Sequence, residues 1–215
     1  MFFKSPELVG IAIDDNCIEF GYFKKLRNNA FKLINYKIQN LYKLEIYDSI
    51  IFNPTLLYSY IQFFFEENKI NKTNVYLYLS KSKKIKDFII TSPNLDNNRE
   101  DLKIEEDGAF IWQINYLGFE DNLNYYYVTG IAQEILFQYK TLCFQLPCTL
   151  KTITTKNLAI INAKKNLAIN YSNLKDLTPE NLHHYLYVSS KDKFILPHSH
   201  EVNENFLSSC FGMFI

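Results

Sequence analysis

The chain lacks an excess of charge of either sign. Lysine and arginine together number 23, aspartate and glutamate also 23, and the four histidines add little near neutral pH. A general nucleic-acid binder usually carries surplus lysine and arginine, so that class is disfavoured, although a local patch stays open. A C-x-x-C pair is also missing. The four cysteines, Cys17, Cys143, Cys148 and Cys210, stand apart, which argues against a zinc site or a thioredoxin-like motif. Cys143 and Cys148 are near enough in sequence to be read as a disulfide. Nothing else marks a small secreted scaffold, however, and buried free thiols in a reducing compartment are the better reading. No apolar run approaches the ~20 residues that span a bilayer. Met1 to Glu7 offers no basic stretch leading into an apolar one, so no secretory signal is expected and the expected address is the cytoplasm. Repeats with a period of about 20 to 50 residues, and low-complexity linkers, are missing as well.

Glycine and proline are few, six each, while Asn, Lys, Ile, Tyr and Phe dominate. An AT-rich coding sequence produces that bias, so aromatic richness alone is not taken as a sign of stacking sites. What is present is apolar mass: 47% of 215 residues, enough for a substantial core in one large domain or two small ones.

Leu8 to Ile13 reads as a buried strand, Asp14-Asp15-Asn16 as a turn, Cys17 to Phe23 as a second strand and Ala30 to Gln39 as a third. Asn53-Pro54 starts a helix, an N-cap followed by proline at the first turn, with Leu56, Leu57, Tyr60, Ile61, Phe64 and Phe65 at helical spacing. Val75 to Leu79 is a fourth strand, which completes a β-β-β-α-β unit and puts an internal boundary near residues 80 to 86. Asp87 to Thr91, Phe110 to Leu117 and Asn122 to Val128 read as strands, the last two joined across a Gly-Phe-Glu-Asp turn. The polar segment from Asn94 to Gly108 is an exposed helix or a loop. Ile131 to Phe144 is helical, Cys148 to Ile153 a strand, and Thr154-Thr155 caps a further helix through Lys165. Leu167 to Tyr171 is a candidate strand, Thr178 to His184 a short helix, and Phe206 to Ile215 apolar and small.

Three segments carry a family resemblance. "VGIAIDDNCIEFGYFKK" (Val9 to Lys25), "YYYVTGIAQEILFQYKTLCFQLPCTLKTITTKNLAIINAKKN" (Tyr125 to Asn166) and the closing "FLSSCFGMFI" resemble the PilM family of type IV pilus assembly proteins. The resemblance implies an α/β chain with a reduced actin-like (ribonuclease H-like) fold and an inserted small α+β subdomain. It divides the chain into residues 1–80, an actin-like subdomain, residues 81–154, the insert, and residues 155–215, a shortened second lobe. It also implies a phosphate loop: Gly, Ile or Val, Asp, Ile or Leu, Gly, three free positions, Ile or Val, then Lys. Gly10 and Ile11 match. Ala12 stands at the Mg²⁺-organising Asp, Asp14 at the second Gly, and Glu19 at the Lys, with Asp15 adjacent. Carboxylates there repel a triphosphate by ~1 kcal/mol per close charge pair in water and by several in a partly buried site. Gly10, Ala12, Asp14, Asp15 and Glu19 therefore read as a degenerate phosphate loop. No catalytic residue, cofactor or metal is assigned; the alternatives are a nucleotide-binding ATPase of the same fold and an unrelated α/β interaction domain. The implied role is a non-catalytic cytoplasmic scaffold that docks the cytoplasmic tail of an inner-membrane PilN-like protein in a groove beside the insert. A homo-oligomer is compatible with this. Nucleic acid and direct membrane insertion are not expected.

Other constellations have plainer readings. Asp14-Asp15-Asn16 is a polar hairpin turn before it is an acid/base or metal site. His183, His184, His198 and His200 lack a partner carboxylate or cysteine at a ligand spacing. Ser208-Ser209-Cys210 lacks a nucleophile elbow. Lys81 to Lys86 reads as a solvated loop, and Phe110, Trp112 and Tyr116 as sheet core.

Overall fold

The computed structural model describes residues 6–27, 30–42, 45–80, 82–93, 109–166, 173–181, 193–197 and 202–214. Strands β1 (Glu7–Ile13), β2 (Cys17–Lys25) and β3 (Phe31–Asn40) form the expected antiparallel meander. A two-residue pair, β4 (Ile46–Tyr47) and β5 (Ile50–Ile51), was not foreseen. It turns through Asp48 and Ser49, both at positive φ, the backbone that a tight hairpin turn requires. Helix α1 (Pro54–Glu67) starts as expected, with the Asn53 carboxamide oxygen accepting from the Leu56 N–H at 3.1 Å. The chain then crosses over to β6 (Thr73–Leu79), parallel to β1.

After β6 come β7 (Ile85–Ser92), β8 (Phe110–Glu120) and β9 (Leu123–Ala132), then α2 (Gln133–Phe144), β10 (Cys148–Thr155) and α3 (Lys156–Asn166). A 3₁₀ turn (Leu174–Asp176), β11 (Phe194–Ile195) and a last helix α4 (Glu204–Phe214) follow. The main sheet has the order β10-β6-β1-β2-β3-β11, and the small sheet β7-β9-β8. The small sheet spans residues 85–132. Residues 133–154, assigned from the sequence to the 81–154 unit, instead return to the main layer. β10 pairs in parallel with β6, and α2 buries Ile135, Tyr139 and Leu142 in the main core. Residues 178–181 form a turn, with Thr178 and Asn181 exchanging hydrogen bonds; the rest of the helix expected there, and the strand expected at 167–171, lie outside the described residues.

Alternation along the strands explains the layers. Val9, Ile11 and Ile13 of β1 and Val75, Leu77 and Leu79 of β6 point to one face, where α1 and α2 cover them. Leu8 and Ala12 point to the other with Tyr78, where α4 covers them with Phe206, Cys210, Phe211 and Phe214. Burial on both faces is what continuous apolar runs in parallel strands encode. Gly10 and Gly212 have packing reasons to lack a side chain. A Cβ at Gly10 would strike the Cys210 thiol, and one at Gly212 the Ala159 carbonyl, so α4 can close on both β1 and α3. The opposite side of α3, through Leu158 and Ile161, packs on Leu117, Tyr125 and Tyr127 of the small sheet. Hence α3 ties the two sheets together, alongside Ile85 and Ile131 of the small sheet, which enter the main core.

Candidate functional site

The register aligns Ile13, Leu79 and Thr155, so the carboxyl ends of β1, β6 and β10 finish side by side. Open α/β sheets present ligand sites at such ends, where chain direction reverses and loops diverge. Three segments leave from there: the Asp14–Asn16 turn, the link from Ser80 toward β7, and α3, whose first turn is capped by the Thr155 hydroxyl accepting from the Leu158 N–H.

Two cavities open at this edge and share Ser80 and Lys156. The smaller, about 220 Å³, is lined by Ala12, Asp14, Cys17, Glu19, Tyr78 and Asn203 besides. Four of the degenerate loop positions therefore border or underlie one place: Ala12, Asp14 and Glu19 line it, while Gly10 lies deeper in β1 against α4. Their carboxylates are engaged within the protein. Asp14 accepts from the Asn16 backbone at 3.2 Å and from its carboxamide at 3.4 Å. Asp15 reaches away from the cavity and accepts the N–H groups of Asp48 at 2.8 Å and Ser49 at 3.2 Å. Glu19 accepts the Tyr36 hydroxyl at 2.6 Å and the Asn203 carboxamide at 3.1 Å. Desolvation by burial, then the charges of Glu19 and Asp14, raise the Cys17 thiol above its ordinary pKa. Burial and the Glu19 hydrogen bond likewise push Tyr36 well above the tyrosine range. The local field is thus one that disfavours further negative charge.

The Asp15 contact extends further. Asp48, whose amide it holds, accepts the Lys83 N–H through its own carboxylate and the Ser82 hydroxyl through its carbonyl at 3.0 Å. Ser82 in turn accepts the Lys84 N–H at 3.0 Å. A run of hydrogen bonds therefore leads from the β1–β2 turn through the β4–β5 turn to the start of β7.

The larger cavity, about 610 Å³, lies where the two sheets meet, within the ~300–1,000 Å³ usual for ligand pockets. Leu79, Ile85, Phe88 and Pro179 give it apolar wall; Lys86, Asp87, Thr155, Asn157 and Glu180 give it polar groups. Asn157 donates to the Pro179 carbonyl at 3.1 Å, which fixes one rim. Under the floor the Tyr127 hydroxyl lies among Asp87, Asn157 and Thr155; burial first, then the Asp87 charge, raises its pKa, so it stays protonated. From the sequence Lys86 figured only in a solvated run, Pro179 and Glu180 in a short helix and Thr155 as a helix cap; none had been read as lining a pocket. The findable signal was the strand-to-helix step at Thr154-Thr155 after a parallel strand; the partners from 85–88 and 179–180 are non-local.

Among the described residues the other constellations form no site. His183, His184, His198, His200 and Lys81 lie outside the described residues. Ser209 and Cys210 are buried in α4. Lys84 pairs with Glu134 at 2.7 Å, and Lys86 lies over the Phe110 ring at 4.2 Å, so the lysine run is only partly solvated loop. Trp112 packs over Gly130 and against Phe88 on the outer face of the small sheet. All four cysteines are free thiols, and the Cys148 thiol donates to the Cys143 carbonyl at 3.7 Å. Among the described residues no cluster of three or more His, Cys, Asp or Glu could hold a metal ion. No described helix is long and apolar enough to cross a membrane.

No family model and no curated protein matches the chain. Solved structures do. The structure described as "PilM-PilN type IV pilus biogenesis complex" superimposes with a TM-score of 0.58 at 11% identity, covering 74% of this chain and 50% of that one. The cytoplasmic domain of EpsL, an inner-membrane component of the type II secretion system of Vibrio cholerae, gives a TM-score of 0.41 at 11% identity, with 71% and 57% covered. The chain thus spans about half the length of these proteins. Together with the strand order, the first likeness makes the chain a mixed α/β protein whose central sheet has the actin-like fold.

Proposed function

We propose that this chain is a non-catalytic scaffold of type IV pilus or related secretion machinery, which docks an extended peptide from an inner-membrane partner, a PilN-like cytoplasmic tail, in the cavity between its two sheets. The fold likeness to a PilM–PilN complex motivates the reading, and the 610 Å³ cavity carries it. β7 forms one wall, and it is an outer strand of its sheet with no strand on its far side among the described residues. An extended peptide can add along such an edge, with Pro179 on the facing rim offering apolar contact. The mixed Lys86, Asp87, Lys156 and Glu180 rim suits a peptide carrying both signs of charge better than a polyanion. The reading places the chain in the cytoplasm, beside the membrane and held there by its partner.

A nucleotide-binding ATPase of the same fold is the second reading. Its support is Lys156, in the first turn of α3 and shared by both cavities. Against it stand a 220 Å³ space at the degenerate loop and two carboxylates lining that space. In-cell photo-crosslinking from a benzoylphenylalanine at Glu180, an exposed residue of the cavity rim, tests the docking reading. The expected product joins the chain to the cytoplasmic segment of a membrane-anchored protein; exclusive crosslinks to soluble proteins contradict it.

A further inference from the structure

The amino ends of β1 and β6 lie at the opposite end of the main sheet from the two strand-end cavities, one strand length or ~23 Å away. Glu7 stands opposite Lys24 there, and Lys24 opposite Lys32, so the starts of β6, β1 and β3 and the end of β2 share one front. Backbone contacts hold it together: the Lys25 N–H donates to the Pro6 carbonyl at 2.9 Å, and the Thr73 hydroxyl to the Glu7 carbonyl at 2.8 Å. The β2–β3 hairpin brings Lys24, Lys25, Arg27 and Lys32 to this front, and the link from α1 to β6 brings Lys69 and Lys72. Lys24 and Lys25 are half-buried and the other four are exposed. None of the six forms an ion pair with a described residue. The neighbouring carboxylates are engaged elsewhere: Glu7 accepts from the Tyr22 hydroxyl, Glu66 from the Gln62 carboxamide at 2.7 Å, and Glu67 pairs with Lys37 at 2.8 Å.

We propose that this basic pole holds the protein against an anionic phospholipid surface. The chain as a whole is neutral, so the excess here is a matter of placement. Two local rules are broken to make it. Lys24 and Lys32 are like charges directly opposite in an antiparallel ladder, which is destabilising. Lys69 and Lys72 both sit at left-handed φ, 52° and 53°, where glycine is unstrained. Sequences break such rules where function asks for the side chain. Charge complementarity names the occupant. A cluster of ~4–8 Lys and Arg is what anionic headgroups attract, each cation near the surface raising the partition roughly fivefold. The attraction fades within a Debye length of ~8–10 Å, so the cations must approach one plane together. Strand ends in register provide that plane, about 15 Å across at ~4.8 Å per strand. Five of the six are lysine, a hydrated point charge suited to a diffuse layer of headgroups, where a specific phosphate site favours the arginine fork. A chain held this way leaves its strand-end cavities uncovered, because they open at the far end of the same strands. The inference stands apart from the peptide-docking reading, and its test needs no partner.

Co-sedimentation of the full chain with vesicles of phosphatidylcholine, alone or with ~30% phosphatidylglycerol, tests this. The expected result is binding to the anionic vesicles only, lost when NaCl rises from ~0.1 to ~0.5 M. The pair Lys24→Gln with Lys32→Gln, and the pair Lys69→Gly with Lys72→Gly, should each weaken binding by roughly tenfold or more, two cations at about fivefold apiece. Lys83→Gln with Lys175→Gln, which removes two cations away from this end, should leave it unchanged. Circular dichroism should show both test pairs folded, since one relieves a like-charge contact and the other puts glycine where glycine fits. A chain that ignores the anionic vesicles overturns the proposal. So does binding that survives both test pairs, or that the Lys83 and Lys175 control weakens as much. Displacement of the bound chain by an equal charge of single-stranded DNA also overturns it, and assigns the pole to nucleic acid.

Discussion

Replacing Asp15 with alanine removes the carboxylate that holds the β4–β5 turn. Two backbone N–H groups, those of Asp48 and Ser49, lose their acceptor, at 2.8 and 3.2 Å in a half-buried setting. A hydrogen bond to a charged group contributes ~1.5–3 kcal/mol net. Water can reach part of this site and restore some of the loss, so the two together amount to about 2 kcal/mol and not twice the upper figure. Asp15→Asn keeps one acceptor oxygen and should lose about 1 kcal/mol. Asp14→Ala is the control: among the described residues its carboxylate bonds Asn16 alone, within the same exposed turn, and the loss should stay near ~0.5 kcal/mol. Urea unfolding followed by Trp112 fluorescence and by circular dichroism gives the midpoints at a common slope. The acidic turn would be a vestige of a phosphate site, and not a structural latch, if Asp15→Ala were as stable as the parent chain or more so. Removing a carboxylate from an unpartnered acidic cluster relieves repulsion, whereas removing this one should not.

Three further outcomes follow from particular contacts. Lys69 ends α1 at φ 52°, the left-handed position that glycine fills without strain, so Lys69→Gly should stabilise by about 0.5–1 kcal/mol in the same urea assay. Gly212→Ala drives a methyl into the Ala159 backbone, and no side-chain rotation relieves it; separating α3 from α4 should cost about 3 kcal/mol and lower the thermal midpoint. Burial pushes Cys148 up to about 11 and Cys143 up to about 12 from a value of 9.0. Both thiols therefore keep their protons in the folded chain while the unfolded chain ionises. Their contribution is intact below pH 9 and is lost as pH rises through 11 and 12. Cys148→Ala should flatten the fall in urea midpoint that begins near pH 9, and an unchanged slope would show that the thiol is not so placed.

Much of the main layer was legible because local signals and tertiary needs agree there. Asp14-Asp15-Asn16 is polar enough to turn, Asn53-Pro54 caps and starts a helix, and β1 and β6 are apolar on both faces because both are covered. Where reading failed, a non-local partner decided. Val128 looked like the end of a strand, with a helix from Ile131. Pairing on both sides, to β7 and β8, carries β9 on to Ala132, and Trp112 fills the space that Gly130 leaves. Phe206 to Phe214 shows weak helical preference around Ser208, Ser209 and Gly212. It becomes α4 because its rings and its glycine fit Phe23, Phe31 and α3. β11 is two residues long and exists only through its pairing with Phe31 and Lys32. At the site, the positions of Ala12, Asp14 and Glu19 around one cavity could be anticipated from the first hairpin. The docking cavity could not, since residues near 80, 86, 156 and 180 meet only once α3 has joined the two sheets.

The central claim is that the strand-end site takes a peptide and not a nucleotide. Isothermal calorimetry of the full chain with a non-hydrolysable ATP analogue, with and without Mg²⁺, tests it most directly. The account predicts no saturable heat up to ~1 mM analogue, a limit equivalent to roughly 4 kcal/mol of binding. Micromolar, Mg²⁺-dependent binding that is lost in Lys156→Ala would contradict it.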